Sequence, residues 1–363
     1  MNIISSIDDL SGNQLSTSIS PERTTEGGVK TEAVNPPTRI SALDFTKGAL
    51  VLFMVLYHWL IYFQGPHGFI FRYLRFLPPS FIFITGFLIS NAYLAKYEIA
   101  DPRLPKRLVI RGLKIMVIFV LLNVAIGFLV TGFQSWDLDK LMAVFVTGNV
   151  LVAGVGKAAS FYILVPISYL LLLSAMLLVI CRFYKYTFYV VFAGFLLGIF
   201  VLSLEDFASA NLEFLTIGLL GLIFGYAPIE KVNAFVRHPY RLVAAYLCYA
   251  VVITVRDPNY PLQAVGVLLT VMLVYLVGSS SPEPGKVRRL IILLGRYPLV
   301  GYIAQVAILQ LLRSGLRHVD LGISMLVLSF GTALGLTVIV VVALDRARLK
   351  SLTVNHLYTG IFS

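Results

Sequence analysis

Charged residues are scarce in this sequence. Only 13% of its 363 residues are Asp, Glu, Lys or Arg, whereas a soluble globular protein carries about 25%. Hydrophobic residues reach 58%, and the mean hydropathy is +0.86. Long apolar runs fill most of the chain after residue 38, which excludes an ordinary soluble fold and predicts a multi-pass membrane protein.

Cysteine is scarce as well. Cys181 and Cys248 lie in separate apolar segments without the spacing of a metal site, so we expect small buried side chains and no metal. There is no P-loop and no GxGxxG that follows a strand. The net charge of +11 comes from basic residues in short segments between apolar runs, a pattern that sets membrane orientation. We therefore expect no nucleic-acid partner.

The apolar segments predict an all-α bundle of about ten transmembrane helices. They lie at residues 39–63, 77–95, 108–131, 158–181, 186–204, 212–228, 240–256, 261–279, 290–312 and 322–344. If both termini are cytoplasmic, 22 of the 29 basic residues fall in cytoplasmic segments, as the positive-inside rule requires. A full crossing by the glycine-broken stretch 141–156 would destroy this bias, so we interpret that stretch as a re-entrant or interfacial piece on the outer face.

Three regions make up the predicted chain organisation. Residues 1–38 are polar and rich in Ser, Thr, Glu, Gly and Pro, which predicts a disordered cytoplasmic tail. No apolar core of a signal peptide precedes residue 43, so we expect the first membrane helix to direct insertion. A transmembrane domain follows at 39–346, with a cytoplasmic C-terminal tail at 347–363.

The first apolar segment carries three ionisable residues, Asp44, Lys47 and His58. Such residues are costly inside a bilayer and are typical of functional sites. Lys47 and His58 are close to three helical turns apart, so both lie on one face, roughly 16 Å apart. Asp44 is within reach of Lys47 on that face. An imidazole suits a general base; the alternative is a structural histidine bonded to a neighbouring helix.

Two further basic sites are candidates for phosphate binding. Arg107, Arg111 and Lys114 share one helical face, and their side chains suit the phosphates of a nucleotide-containing ligand. Arg296 enters the ninth segment beside a glycine and a proline, which predict an irregular helix start that lines a cavity. The alternative for all four is ordinary cytoplasmic loop charge with snorkelling side chains.

Small and aromatic residues predict features of the packing. Gly218, Gly221 and Gly225 in the sixth segment are typical of close helix contacts. Trp59 and Tyr62 lie near the outer boundary of the first segment, where we expect them to be interfacial anchors.

Four stretches resemble the membrane acyltransferase superfamily, which includes the acyltransferase-3 proteins and the heparan-alpha-glucosaminide N-acetyltransferase branch. RISALDFTKGALVLFMVLYH at 39–58 is similar to the opening helix of the family, with its basic residue, ten positions and then a histidine. PSFIFITGFLIS at 79–90 and KRLVIRGLK at 106–114 are similar to the second and third helices. LGRYPLVGYIAQVAIL at 294–309 is similar to a late helix. The remaining segments match only in hydropathy.

This resemblance implies an integral membrane enzyme, and we expect its location to be the inner, or plasma, membrane of a bacterium. It would move an acyl group, commonly acetyl, from cytoplasmic acyl-CoA to a hydroxyl or amine of a cell-envelope sugar, glycan or lipid. His58 would activate the acceptor or carry the acyl group, Lys47 would support the donor site, and Arg107 and Arg111 would meet the CoA phosphates. Lys47 stands where the family motif has arginine, and Gln305 where many relatives have histidine.

Two other functions remain open from the sequence. A transporter could use Lys47 and His58 to couple proton or anion movement. An inverted repeat with paired broken helices would favour it, but the sequence shows none. A non-catalytic membrane partner in envelope assembly would keep the polar stripe for structure alone. The oligomeric state is not predicted.

Overall fold

The computed structural model describes residues 40–65, 69–94, 101–131, 143–148, 160–181, 183–184, 186–227, 229–236, 238–256, 259–280, 285–316 and 322–362. Within these ranges all regular structure is helical and no strand occurs. The described residues belong to one compact unit. The predicted tail at 1–38 and most of the stretch 141–156 lie outside the described residues.

The helices follow one another along the chain with short connections. They are α1 (Ser41–Phe63), α2 (Phe69–Arg72), α3 (Leu77–Leu88), α4 (Arg103–Ile126), α5 (Leu164–Cys181), α6 (Thr187–Leu204), α7 (Ala210–Gly225), α8 (Ile229–Val236), α9 (Pro239–Val255), α10 (Tyr260–Ser279), α11 (Lys286–Arg296), α12 (Pro298–Gly315), α13 (Ile323–Lys350) and α14 (Leu352–Phe362). Wider π-helical turns at Ile89–Leu94 and Gly127–Thr131 extend α3 and α4.

Length and composition identify a multi-pass membrane protein. Among the described residues, seven helices are long and apolar enough to cross a bilayer, and the bent pair α11–α12 brings the number to eight. Helices α7 and α9 are apolar but shorter. The predicted all-helical membrane bundle is confirmed at this level.

Helix α1 lies at the centre of the bundle, and α6 lies at its edge. Fifteen of the 23 residues of α1 are buried, and α1 contacts α3, α10, α11, α12 and α13. In α6 only Phe188 is buried, so nearly all of that apolar helix is left to face lipid. The polar residues of α1 are therefore carried by a helix that is largely enclosed by protein.

Glycines bring α3 and α7 into backbone contact. A Cβ added at Gly86 would lie 1.9 Å from the carbonyl oxygen of Gly218, and one at Gly221 would lie 2.1 Å from that of Phe83. One turn further along, a Cβ at Gly225 would lie 2.5 Å from another α3 carbonyl oxygen. These distances leave no room for a side chain, so the close packing predicted for the glycines of the sixth segment is confirmed.

Helices α1 and α11 cross with equally little space. A Cβ at Gly48 would lie 1.8 Å from the carbonyl oxygen of Ile291, and a Cβ at Gly295 would lie 1.7 Å from that of Asp44. The contact is reciprocal, since a Cβ added at either glycine would also lie 2.9 Å from the backbone nitrogen of the other. The backbone beside Asp44 is thereby fixed against α11.

The predicted ninth segment, 290–312, is two helices. Helices α11 and α12 meet at Tyr297 with a bend of 92°. Tyr297 has φ −124° and ψ 46°, outside the helical range, because the ring of the following Pro298 disfavours a helical conformation in the residue before it. The predicted irregular helix start is confirmed, although a bend of this size was not expected.

Two side-chain predictions are wrong. Trp59 is buried, with 8% of its surface exposed, and its indole N–H donates to Ser329 Oγ at 2.9 Å; it joins α1 to α13 and is not an interfacial anchor. Cys248 is exposed on α9 and is not a buried side chain. Cys181 is half-buried.

Candidate functional site

The ionisable stripe of α1 faces the protein interior. Asp44 and His58 expose 4% and 7% of their surfaces. Lys47 Nζ lies 2.5 Å from Asp44 Oδ1, and 15% of the Lys47 side chain is exposed. The predicted contact between these two residues is present. A carboxylate in this setting is stabilised by the adjacent ammonium group.

Neighbouring helices hold the Asp44 end of the stripe in place. Gly295 of α11 lies directly against the Asp44 backbone. Phe45, the residue after Asp44, packs its ring on Gly278 of α10. The guanidinium carbon of Arg288 lies 5.8 Å from the centroid of the Phe45 ring. The Arg288 side chain also donates to the Gly278 carbonyl. Helices α10 and α11 together therefore determine where Lys47 and Asp44 lie.

The other end of the stripe, at His58, packs against α12. His58 Nδ1 lies 3.4 Å from Gln305 Nε2, and the imidazole also bonds to the Met54 carbonyl, one turn earlier. The ring lies 5.7 Å from the ring of Tyr302 and 5.4 Å from that of Tyr57, between centroids. His58 is therefore oriented by two polar partners and enclosed by two aromatic rings.

Gln305 leaves one hydrogen-bonding atom unused. The residue is completely buried, and its Oε1 has no hydrogen-bond partner among the described residues. An amide oxygen without a partner is costly in a membrane interior. If the amide is turned so that oxygen faces His58, Oε1 accepts the Nδ1 proton of the imidazole and Nε2 becomes the unpartnered atom. Either arrangement leaves one polar atom of this amide available beside His58.

A second buried amide of α12, that of Gln310, contacts α1 at Tyr62, one turn beyond His58. Gln310 Nε2 donates to Tyr62 Oη at 3.0 Å and also to Ser160 Oγ. Gln310 is 8% exposed, and its Oε1 likewise has no partner among the described residues. The guanidinium carbon of Arg313 lies 5.8 Å from the Tyr62 ring centroid. Gln310 was not predicted from the sequence as a site residue, although a glutamine in an apolar run five residues after Gln305 was an available signal.

Phe161, which follows the Gln310 partner Ser160, has an unusual backbone conformation. Phe161 has φ +63°, a conformation that is rare for a bulky residue. Its side chain is 2% exposed, and its ring lies edge-on to Tyr302, with centroids 6.0 Å apart. The next residue, Tyr162, hydrogen-bonds with Tyr57. Backbone strain of this kind clusters at functional sites.

The four candidate phosphate-binding residues lie on two helices. Arg107 is exposed on α4, while Arg111 and Lys114 are half-buried there; Arg296 is exposed at the end of α11. Helix α4 packs mainly against α5 and also touches α14. Among the described residues, α4 shares no extensive contact with α1 or α11. Arg107, Arg111 and Lys114 are therefore carried by a helix that is not packed on the α1 stripe, whereas Arg296 directly follows Gly295, which contacts the Asp44 backbone.

No family model, no curated protein and no solved structure matches this chain. Among the described residues, no three His, Cys, Asp or Glu side chains are grouped as ligands for a metal ion. The polar groups described at the site are an imidazole, two amides, several hydroxyls and one buried ion pair.

Proposed function

We propose that this chain is an integral membrane acyltransferase. It moves an acyl group, acetyl in the simplest case, from acyl-CoA to a hydroxyl or amine of a cell-envelope sugar, glycan or lipid. The observation that carries the proposal is that His58 lies in the protein interior, held by the Met54 carbonyl and by Gln305. A titratable ring oriented by two partners in a spanning helix is typical of proton transfer.

The imidazole supplies the base in this reaction. With Nδ1–H donated to Met54 or Gln305, the second ring nitrogen carries the lone pair and accepts the proton of the acceptor hydroxyl. The acceptor oxygen attacks the thioester carbonyl of the donor, and the carbon–sulfur bond breaks. The imidazolium returns its proton to the leaving thiolate, so the enzyme ends in its starting state.

The Asp44–Lys47 ion pair contributes to binding of the donor, acyl-CoA, in this proposal. Lys47 lies roughly 16 Å from His58 along the axis of α1, too far to touch the reacting atoms. In this proposal Lys47, kept in place by Asp44, holds a polar part of the acyl-CoA while the thioester reaches His58. Arg107, Arg111, Lys114 and Arg296 are the candidates for the CoA phosphates.

The proposal includes a membrane topology. Ten spans are obtained when α7, α9 and the bent pair α11–α12 each count as one crossing. Both termini are then cytoplasmic, acyl-CoA binds from the cytoplasm, and the acceptor meets it in the outer half of a bacterial inner membrane. The inner-side excess of basic residues supports this arrangement.

The test is release of free CoA by the purified protein in lipid nanodiscs, measured with a thiol reagent in the presence of envelope extract, with the acylated product identified by mass spectrometry. His58→Ala should lose at least about 100-fold in rate, since general-base catalysis contributes about 100- to 10,000-fold. His356→Ala, which changes an exposed histidine of α14, is the matched control. Full transfer by a folded His58→Ala protein would exclude this mechanism.

One observation favours a transporter as the second candidate. The 92° bend between α11 and α12 is a broken helix, and in secondary transporters such breaks form substrate sites near the middle of the membrane. Saturable uptake into sealed vesicles, with no acyl transfer and with dependence on His58, would establish that function. Acyl transfer without uptake would exclude it.

A further inference from the structure

Helix α14 has apolar residues that the rest of the protein does not cover. None of its 11 residues is fully buried. Tyr358 and Phe362 are half-buried, whereas Leu357 and Ile361 expose 65% and 40% of their surfaces. An isolated helix of this length is only marginally stable in water. We therefore expect a further surface to cover the apolar residues of α14.

The contacts of Arg348 show that α14 does not continue in the direction of α13. Ser351, between the two helices, has φ −130° and ψ 117°, an extended conformation. In one straight helix Arg348 and Tyr358 would be about 15 Å apart along the axis. Instead, the guanidinium carbon lies 4.0 Å from the centroid of the Tyr358 ring, and α14 also touches α4. Helix α14 therefore turns aside at Ser351 and lies across the end of the bundle.

The length of α13 brings α14 to the membrane surface. Helix α13 has 28 residues, which is about 42 Å, and a bilayer with its headgroup regions is about 40–45 Å thick. Residues 323–344 include no charged side chain, and the charged residues of α13 follow directly at Asp345, Arg346, Arg348 and Lys350. The apolar part of α13 therefore ends before Asp345, and α14 begins at the surface of the bilayer.

The sides of α14 suit a position between protein, lipid and water. Leu357 and Ile361 are four residues apart and share one side, while Thr359, two positions from each, is exposed on the other. The rings of Tyr358 and Phe362, 5.1 Å apart, share a third side. This arrangement is typical of a helix that lies in the plane of a membrane. A soluble partner or a second copy could also cover two apolar side chains, but the bilayer is beside α14 whenever α13 spans it.

We propose that α14 is an interfacial helix that lies on the bilayer, with Leu357 and Ile361 in the boundary between headgroups and acyl chains. This inference does not depend on the proposed enzymatic activity. The Tyr358 ring lies 5.4 Å from that of Tyr297, between centroids, and Arg348 contacts both rings. Lipid contact on one side of α14 therefore keeps another side packed on the residue at which the α11–α12 span bends.

The depth of single side chains in the membrane tests this position. In a Cys181→Ser, Cys248→Ser background, Leu357→Cys or Thr359→Cys is spin-labelled and the protein is placed in lipid nanodiscs. Molecular oxygen, which concentrates in lipid, should relax the label at 357 more strongly, and a water-soluble nickel complex should relax the label at 359 more strongly. Equal access of the nickel complex to both labels would overturn the proposal. A label at 357 that neither reagent reaches would also overturn it, since protein would then cover that side.

Hydrogen–deuterium exchange in nanodiscs tests the link to the bend. Replacing Leu357 and Ile361 by serine should speed exchange in α14 peptides at least about fivefold, because the apolar anchor is lost. Exchange of the Gly301 amide, which donates to the Tyr297 carbonyl at 2.9 Å, should become faster as well. Thr359→Ser is the control and should change neither rate. Unchanged exchange in α14 would show that lipid does not hold this helix, and an unchanged rate at Gly301 alone would show that α14 does not support the bend.

Discussion

The guanidinium group of Arg348 lies over the ring of Tyr358, with 4.0 Å between the guanidinium carbon and the ring centroid. Arg348 also donates to Asn355 Oδ1 at 2.7 Å and to Tyr297 Oη at 3.0 Å. Tyr297 in turn donates to Asp345 Oδ1 at 2.7 Å. One arginine at the end of α13 therefore joins the C-terminal helix α14 to the residue at which the α11–α12 span bends.

We expect Arg348→Ala to detach α14. The loss of hydrogen bonds to a charged group costs on the order of 2 kcal/mol, and α14 buries none of its own residues. Hydrogen–deuterium exchange of peptides from 352–362 should become faster, while exchange in α12 changes less. Arg346→Ala, at an exposed position two residues earlier, is the control. Unchanged exchange in α14 after Arg348→Ala would show that other contacts hold it.

The crossing of α1 and α11 should tolerate no side chain at Gly295. An added Cβ would lie 1.7 Å from the Asp44 carbonyl oxygen, and both groups belong to helix backbones that cannot move independently. Gly295→Ala should cost about 3 kcal/mol or more and appear as aggregation or a lowered melting temperature in detergent.

The control for this crossing is Gly335→Ala, on α13. No atom lies within 4 Å of an added Cβ there, so the alanine should be neutral or stabilise by up to about 1 kcal/mol through helix propensity. Equal melting temperatures for the Gly295→Ala and Gly335→Ala proteins would contradict the crossing described above.

The Asp44–Lys47 pair should behave as a coupled unit in stability. Lys47→Met removes the ammonium beside a carboxylate that is only 5% exposed, which should cost on the order of 3 kcal/mol. Replacing Asp44 by Asn in the same protein removes the carboxylate charge and should recover most of that loss. The melting temperatures of the wild type, both single variants and the double variant form a thermodynamic cycle. Additive effects would mean that the two groups do not interact.

The buried hydrogen bond between Trp59 and Ser329 should make a smaller contribution. Ser329→Ala leaves the indole N–H without its acceptor, and such bonds between membrane helices contribute on the order of 1 kcal/mol. The emission wavelength of Trp59 should also shift, because its indole N–H loses the hydrogen bond to the α13 hydroxyl. Ser324→Ala, at an exposed position of the same helix, should alter neither stability nor fluorescence.

Local patterns in the sequence predicted much of the fold. The spacing of Asp44 and Lys47 predicted their contact, because residues three apart on a helix are neighbours whatever surrounds them. Gly218 and Gly221 predicted a close crossing, because small residues allow helix backbones to meet. The proline at 298 predicted an irregular helix start. Each of these features depends on a few adjacent residues, and so the pattern alone was sufficient.

The partners of these residues could not be predicted in the same way. Gln305 was noted only for its place in a motif, whereas its contact with His58 joins residues 247 positions apart. Trp59 was predicted to face the lipid interface, and its bond to Ser329 spans 270 positions. Hydrophobic periodicity in a membrane helix does not distinguish a face that meets lipid from one that meets another helix, because both are apolar.

The backbone contact between Gly48 and Gly295 also limits how the site can move. No side chain lies between the two backbones, so α1 and α11 fix each other's position at this crossing, and the position of the ion pair is fixed with them. Helix α12 is joined to α11 through the single non-helical residue Tyr297 and meets His58 only through side chains. A displacement of α12 about Tyr297 would therefore change the distance between His58 and Gln305 and leave the Lys47–Asp44 pair in place.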